Sequence, residues 1–250
     1  MIIKTRTSSM NLTNNDVEQL RTAFQICRVA GIDAVVVTDN QIRGVTPSTK
    51  MAVISPASFS FDSTIKLGIG RIGEFEKRLN IFAGAVEGEG KLNDANEVSV
   101  ITLGAGRSKV QFRCTSERLI KYPKANDDEV VATITAKKSE VQQVSRAVKT
   151  LGAEQLTLAI GRDGAVKFEC SSPTNEAFAT EFETSAEFES DPQGIVHIYE
   201  GDRFATVLDA AARDAEEVTM VLGELGSLTI SIKGHTVVAL PEANQEDDDE

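Results

Sequence analysis

Apolar residues recur along this chain at helical spacing, and the pattern occurs twice. Val17, Leu20, Phe24 and Cys27 fall on one stripe and predict a helix over about 15–30. Val141, Val144, Val148 and Leu151 repeat that spacing 124 residues further on and predict a helix over 138–151. Each helix leads through Gly into a β-branched run, GIDAVVVTD after the first and GAEQLTLAIGRDG after the second. A second helix follows in each half: 74–82, with Phe75, Leu79 and Phe82 on one face, and 202–215, with Phe204, Leu208 and Ala211. Asn14, Asn15 and Asp16 offer N-caps to the first helix, and Gly31 ends it.

Between the helices the period drops to two. The first half reads as strands at Ala34–Thr38, Gln41–Val45, Met51–Ser55, Ser63–Ile69, Val98–Leu103 and Lys109–Cys114. EGEGKLNDANE reads as a loop. The second half reads as strands at Leu156–Ile160, Ala165–Cys170, Ala177–Thr184, Gly194–Tyr199, Val218–Leu222, Leu228–Lys233 and Thr236–Leu240. GRDG and ELGS suit hairpin turns, because glycine reaches positive φ without strain. The predicted class is α+β: two topologically similar domains, each with two helices packed on antiparallel sheet. The expected divisions are a first domain over 1–116, a connector over 117–132, a second domain over 133–243 and an acidic disordered tail over 244–250.

Composition narrows the classes. At 250 residues and 41% hydrophobic, the chain can build two cores. No run of about 18 apolar residues suggests a membrane span, and MIIKTRTSSM is not a secretory signal. A cytoplasmic location is therefore expected. Cys27, Cys114 and Cys170 are far apart and lack metal-ligand spacing, so buried thiols in a reducing compartment are expected. The net charge is −12, with acids at every position from Glu246 to Glu250. Such a balance opposes a protein that coats nucleic acid over its whole surface, but permits a local basic face.

That face is sought opposite the apolar stripes. The first helix carries Arg21, Gln25 and Arg28 there, partly offset by Glu18. The second carries Lys77 and Arg78, the third Lys138, Gln142, Arg146 and Lys149, and the fourth Arg203 and Arg213. On any single helix these are ordinary solvated charges. Their repetition over four helices of an acidic, duplicated chain points to one basic surface, suited to phosphates and blind to base sequence. No aromatic residue interrupts it, so stacking on single strands is not supported.

With these residues in place, the chain resembles the ring-shaped DNA sliding clamps. The second half is closest to the T-even-type bacteriophage clamp, through TITAKKSEVQQVSRAVKTLGAEQLTLAI and GSLTISIKGHTVVALPEA followed by acids. The first half matches in architecture. The resemblance implies a homotrimeric ring of the DNA-clamp fold that encircles double-stranded DNA and tethers a DNA polymerase. It implies loading by an ATP-dependent clamp loader, no catalytic residue, no metal or cofactor, and, for a phage protein, the cytoplasm of an infected bacterium. The helix cations match the family's inward-facing positions, with Arg21, Arg28, Arg146 and Lys149 the strongest choices. Cellular clamps of archaeal or eukaryotic type are the neighbouring possibility.

A ring needs a joint. Lys109, Gln111 and Arg113 alternate with Val110, Phe112 and Cys114, and Glu181 and Glu183 alternate with Phe178, Thr180 and Phe182. One edge is basic and the other acidic. In the family the corresponding strands of neighbouring subunits pair head to tail, which opposite charges would favour; two unrelated exposed faces are the alternative. Family partners insert a peptide near the connector and the C-terminal strand, here Leu119, Ile120, Tyr122, Val238, Leu240 and Pro241. The same residues suit a connector pinned to its own domain.

Other motifs lead elsewhere. Gly68, Gly70 and Gly73 form GxGxxG between a strand and a helix, but the antiparallel context opposes dinucleotide binding. GAVEGEGKL has the wrong spacing for a phosphate loop. His197 and His235 have no nearby acid or cysteine in sequence. A non-enzymatic ring or tube protein of a virion and an enzyme using the GxGxxG segment are the competing classes.

Overall fold

The computed structural model describes residues 9–123, 128–189 and 194–242. The chain divides into two compact units, the first drawn mostly from the residues before Lys124 and the second mostly from those after it. The first unit runs β1 (Ser9–Leu12), α1 (Asn14–Val29), β2 (Val35–Val37), β3 (Gln41–Val45), β4 (Met51–Pro56), β5 (Leu67–Ile69), α2 (Ile72–Leu79), β6 (Glu87–Leu92), β7 (Val98–Ala105) and β8 (Ser108–Arg113). The second runs β9 (Val130–Lys137), α3 (Lys138–Leu151), β10 (Gln155–Ile160), β11 (Val166–Ser171), β12 (Ala177–Glu181), β13 (Glu187–Phe188), β14 (Ile195–Glu200), α4 (Gly201–Arg213), β15 (Glu217–Gly223), β16 (Leu228–Ile232) and β17 (His235–Ala239).

Apart from the two-residue β13, the two series are the same. The spatial strand orders coincide as well. β1-β6-β7-β8 in the first unit corresponds to β9-β15-β16-β17 in the second, and β4-β3-β2-β5 to β12-β11-β10-β14. The pairings are antiparallel, as in β6 with β7 and β10 with β11. β13 is the addition, flanking β9 through Glu187 and Phe188.

Local chemistry fixes both first helices in the same way. In α1 the N-cap is Thr13, not the expected Asn14–Asp16 set. The Thr13 N–H donates to Asp16 Oδ2 at 2.8 Å and the Asp16 N–H to Thr13 Oγ1 at 3.3 Å, a reciprocal capping box. In α3 the corresponding acid, Glu140, accepts from the Lys137 N–H at 2.9 Å. Both helices end on a left-handed glycine, Gly31 (φ 75°) and Gly152 (φ 59°). A bond then reaches back five residues in each, Ile32 N–H to Cys27 O at 2.7 Å and Ala153 N–H to Val148 O at 3.0 Å, as in a Schellman stop.

Several expected strand and loop boundaries are overturned as well. Glu87–Leu92 is strand β6, not loop. Glu87, Glu89 and Lys91 face outward while Gly88 and Gly90 face inward. A Cβ on Gly88 would lie 3.2 Å from the Leu12 Cβ, and one on Gly90 3.2 Å from the Met10 Cβ. Glycine thus stands where an apolar side chain would mark the alternation. Val130–Lys137 is strand β9 and not the end of a connector. Of the expected strand Ser63–Ile69 only Leu67–Ile69 forms, because a turn at Asp62 takes the Ile65 N–H at 2.9 Å.

The helix stripes are buried as their spacing requires. Val17, Leu20, Phe24 and Cys27 are at 0% exposure and Val141, Val144 and Val148 at most 1%, while Leu151, at the end of α3, is half-buried. In the first unit Phe24, Phe75 and Phe112 meet edge to face at 5.8 and 5.0 Å, joining α1, α2 and β8. In the second, α3 and α4 are tied by the buried bond from Ser145 Oγ to Ala205 O at 2.8 Å. The helices therefore present their remaining faces outward in both units.

Candidate functional site

Those outward faces carry the residues proposed to meet a nucleic acid. Gln25, Arg28, Lys77, Arg146, Lys149 and Arg213 are exposed, while Arg21, Arg78, Lys138, Gln142 and Arg203 are half-buried. Almost every cation among them already holds an acid. Arg21 pairs with Glu18 at 2.7 Å, Arg28 with Glu76 at 3.0 Å, and Lys77 and Arg78 with Glu74 at 2.8 and 3.1 Å. Lys138 pairs with Glu216 at 3.3 Å and Arg203 with Glu200 at 3.0 Å. Asp209 takes both Lys149, at 3.4 Å, and Arg213, at 2.7 Å.

Arg146 is the exception. Its Nη2 donates to the neutral Gln142 Oε1 at 3.3 Å, and among the described residues no acid pairs with it. The charge of each helix follows the same division. α1, α2 and α4 each carry as many acids as cations, whereas α3 sets Lys138, Arg146 and Lys149 against Glu140 alone. The basic character anticipated for four helices is therefore concentrated on α3.

The carboxylates respond to these partners. Hydrogen bonds from Lys77, then Arg78, hold Glu74 down to about 2. Burial alone would raise Asp209, but the Arg213 hydrogen bond and the nearby Lys149 charge outweigh it and leave it below the usual range. Both acids are therefore ionised at neutral pH and compete with any other anion for their cations.

The expected joint residues lie on two sheet edges. Among the described residues β8 has only β7 beside it and β12 only β11. Lys109, Gln111 and Arg113 are exposed on β8, with Phe112 turned into the core. Glu181 is exposed as the last residue of β12. Glu183 lies beyond the strand, which ends before the expected Thr184, and is ion-paired to Lys137. The remaining edge charges are thus Lys109 and Arg113 on one strand and Glu181 on the other.

The residues expected to line a peptide groove divide by burial. Leu119 is 79% exposed, and Tyr122, Leu240 and Pro241 are half-buried. Ile120 at 6% and Val238 at 3% are committed to the cores of their own units. Tyr122 is anchored: its hydroxyl bonds Glu117, which also receives Lys66 Nζ at 2.6 Å, and the Arg43 guanidinium lies 4.9 Å over its ring. Residues 124–127 of the expected connector and the tail after Glu242 lie outside the described residues.

Two of the three GxGxxG glycines, Gly68 and Gly70, have a packing role, whereas a Cβ on Gly73 would meet open space. Thr115 donates its N–H to Gly68 O at 2.9 Å. A Cβ on Gly68 would lie 2.0 Å from Thr115 O, and one on Gly70 2.3 Å from Thr115 Oγ1. The backbone and side chain of Thr115 therefore occupy the space beside Gly68 and Gly70 that a pyrophosphate would need. Cys27 and Cys114 are pushed up to about 12 by burial, which makes them poor nucleophiles. Among the described residues there is no group of three or more metal-ligating side chains, and no helix is long and apolar enough to cross a membrane.

The repeated order of strand, helix, four strands, helix and three strands is that of the PCNA-like clamp fold, with two similar domains. A chain in the crystal structure of the PCNA2–PCNA3 complex from Sulfolobus tokodaii is similar to this one with a TM-score of 0.58 and 14% identity. The match covers 95% of this chain and 100% of that chain. Compared with protein-family models and with curated proteins, the sequence matches none.

Proposed function

We propose that this protein is a DNA polymerase processivity factor: a homotrimeric sliding clamp of the T-even bacteriophage type. On this reading it encircles duplex DNA, is opened and closed by an ATP-dependent clamp loader, and has no catalytic activity of its own. The observation that carries the reading is the coincidence of strand order in the two units together with the PCNA-like fold over 95% of the chain. The outward helix cations support the DNA-facing role of Arg21, Gln25, Arg28, Lys77, Arg78, Lys138, Gln142, Arg146, Lys149, Arg203 and Arg213.

Its mechanism would be topological. A closed ring turns weak, sequence-blind attraction into long residence, since departure requires opening a joint and not merely losing phosphate contacts. A polymerase docked on the ring then works at high effective concentration beside the primer end. Weak contact is a requirement here, because tight ion pairs to phosphate would stop sliding. The joint would place Lys109, Gln111 and Arg113 of β8 opposite Glu181 of a neighbouring copy, with Glu183 beside it already paired to Lys137 of its own chain. Leu119, Tyr122, Leu240 and Pro241 are the accessible members of the proposed partner-peptide surface.

Sedimentation should give the mass of a trimer, and negative-stain images a ring. Protein loaded on nicked circular DNA should stay bound through a high-salt wash and be released when the circle is linearised. A monomer, or retention that linearisation does not affect, refutes the clamp.

A further inference from the structure

We infer that Asp209 and Glu74 are built-in dampers of duplex contact, each holding two helix cations that a phosphate would otherwise engage. The inference rests on the clamp reading and names residues that tune the same surface. Asp209 is the less exposed partner, with 26% of its side chain accessible against 70% for Arg213 and 40% for Lys149. It receives Lys149 from α3 and Arg213 from its own helix through a single oxygen, Oδ2. Glu74 does the same on α2, with Oε1 on Lys77 and Oε2 on Arg78, and Arg78 also donates to the Glu74 carbonyl at 2.6 Å. Two acids thus occupy four of the nine cations on the proposed surface.

Exposed ion pairs are weak, so an approaching phosphate can open them. Each displaced carboxylate is then left facing a like charge, and that repulsion limits the gain. The device leaves the cations present for encounter while reducing the strength of any one contact. Arg146 lies outside it, and supplies the undamped attraction.

The test uses the full chain and a fluorescent duplex, with binding read by anisotropy over about 25 to 200 mM salt, where phosphate contacts set the slope. Asp209→Asn and Glu74→Gln should each bind about three- to tenfold more tightly than wild type. Their salt dependence should steepen by about one to two further phosphate contacts. Asp202→Asn is the control. It removes the same charge from α4, but Asp202 holds no ion pair among the described residues, so its affinity should change less than about twofold. Arg146→Glu should weaken binding in the same assay.

If Asp209→Asn merely matches Asp202→Asn, or its salt slope equals that of wild type, the damping role is overturned. Loss of binding in Arg146→Glu in that same experiment would leave the clamp reading standing. If neither wild type nor any variant binds duplex, both the damping role and the DNA-facing surface fall. Thermal melts of the isosteric variants verify that the fold is kept.

Discussion

A few side chains have roles that their neighbours in sequence do not reveal. Glu117 is one. Burial would raise its carboxyl, but the hydrogen bonds from Lys66 and Tyr122 outweigh burial and hold it below its ordinary value. Lys66 is raised in turn, chiefly by its hydrogen bond to Glu117. The sign follows from linkage: a carboxylate lowered in the folded state contributes stability above its unfolded pKa and loses it as pH falls through the folded one. Urea unfolding of wild type and Glu117→Gln should therefore differ most near neutrality and converge as the solution is acidified below about pH 4. A gap that stays constant down to strong acid would mean that the pairing contributes nothing. The spacing of Glu74 with Lys77 and Arg78, and of Asp209 with Arg213, is readable along a helix. The reach of Asp209 to Lys149, or of Glu76 to Arg28, is not, since those residues meet only when two helices pack.

At the scale of elements, the duplication is most visible in how α1 and α3 begin. Asp16 and Glu140, 124 residues apart, each accept the backbone N–H of the residue three before them. Each also ties the helix start to the segment after the fourth strand of its unit, through Ser60 Oγ at 3.1 Å and the Glu183 N–H at 2.6 Å. In the second unit that segment follows β12, a proposed joint strand. Glu140→Ala should lower unfolding stability by about 1 kcal/mol, the usual magnitude for a lost helix cap. On the ring reading it should also weaken self-association, because the end of β12 loses its anchor. Chemical denaturation and sedimentation would read the two effects separately, and unchanged association would confine Glu140 to capping. The elements that the sequence obscured were obscured for physical reasons. β6 keeps its period of two but places glycine where Met10 and Leu12 press on the sheet. β9 lies in a stretch whose polar beginning reads as connector.

For the molecule as a whole, the proposed ring makes a demand on charge that neither unit meets alone. On that reading the basic edge at β8 would meet the acidic edge at β12 of another copy. Arg113→Glu should weaken self-association about tenfold, and Glu181→Arg in the same chain should recover much of it. Analytical ultracentrifugation of the single and double variants would check both. Indifference to Arg113→Glu would remove the charge pairing while leaving other contacts to hold a joint.

The sequence by itself determined the helices, their buried stripes, most strands and the fact of duplication. These follow from periodicity and from glycine stops, which act over a few residues. It also placed the cations opposite the apolar stripes, although Arg21, Arg78, Lys138 and Arg203 are half-buried there. Only the tertiary structure decided which of those charges are engaged, because the partners of Arg28 and Lys149 arrive on other helices. It likewise decided that Ile120 and Val238 are core and that Gly68 and Gly70 accommodate Thr115. Burial and charge pairing are settled by what packs from a distance, and local spacing carries no record of it.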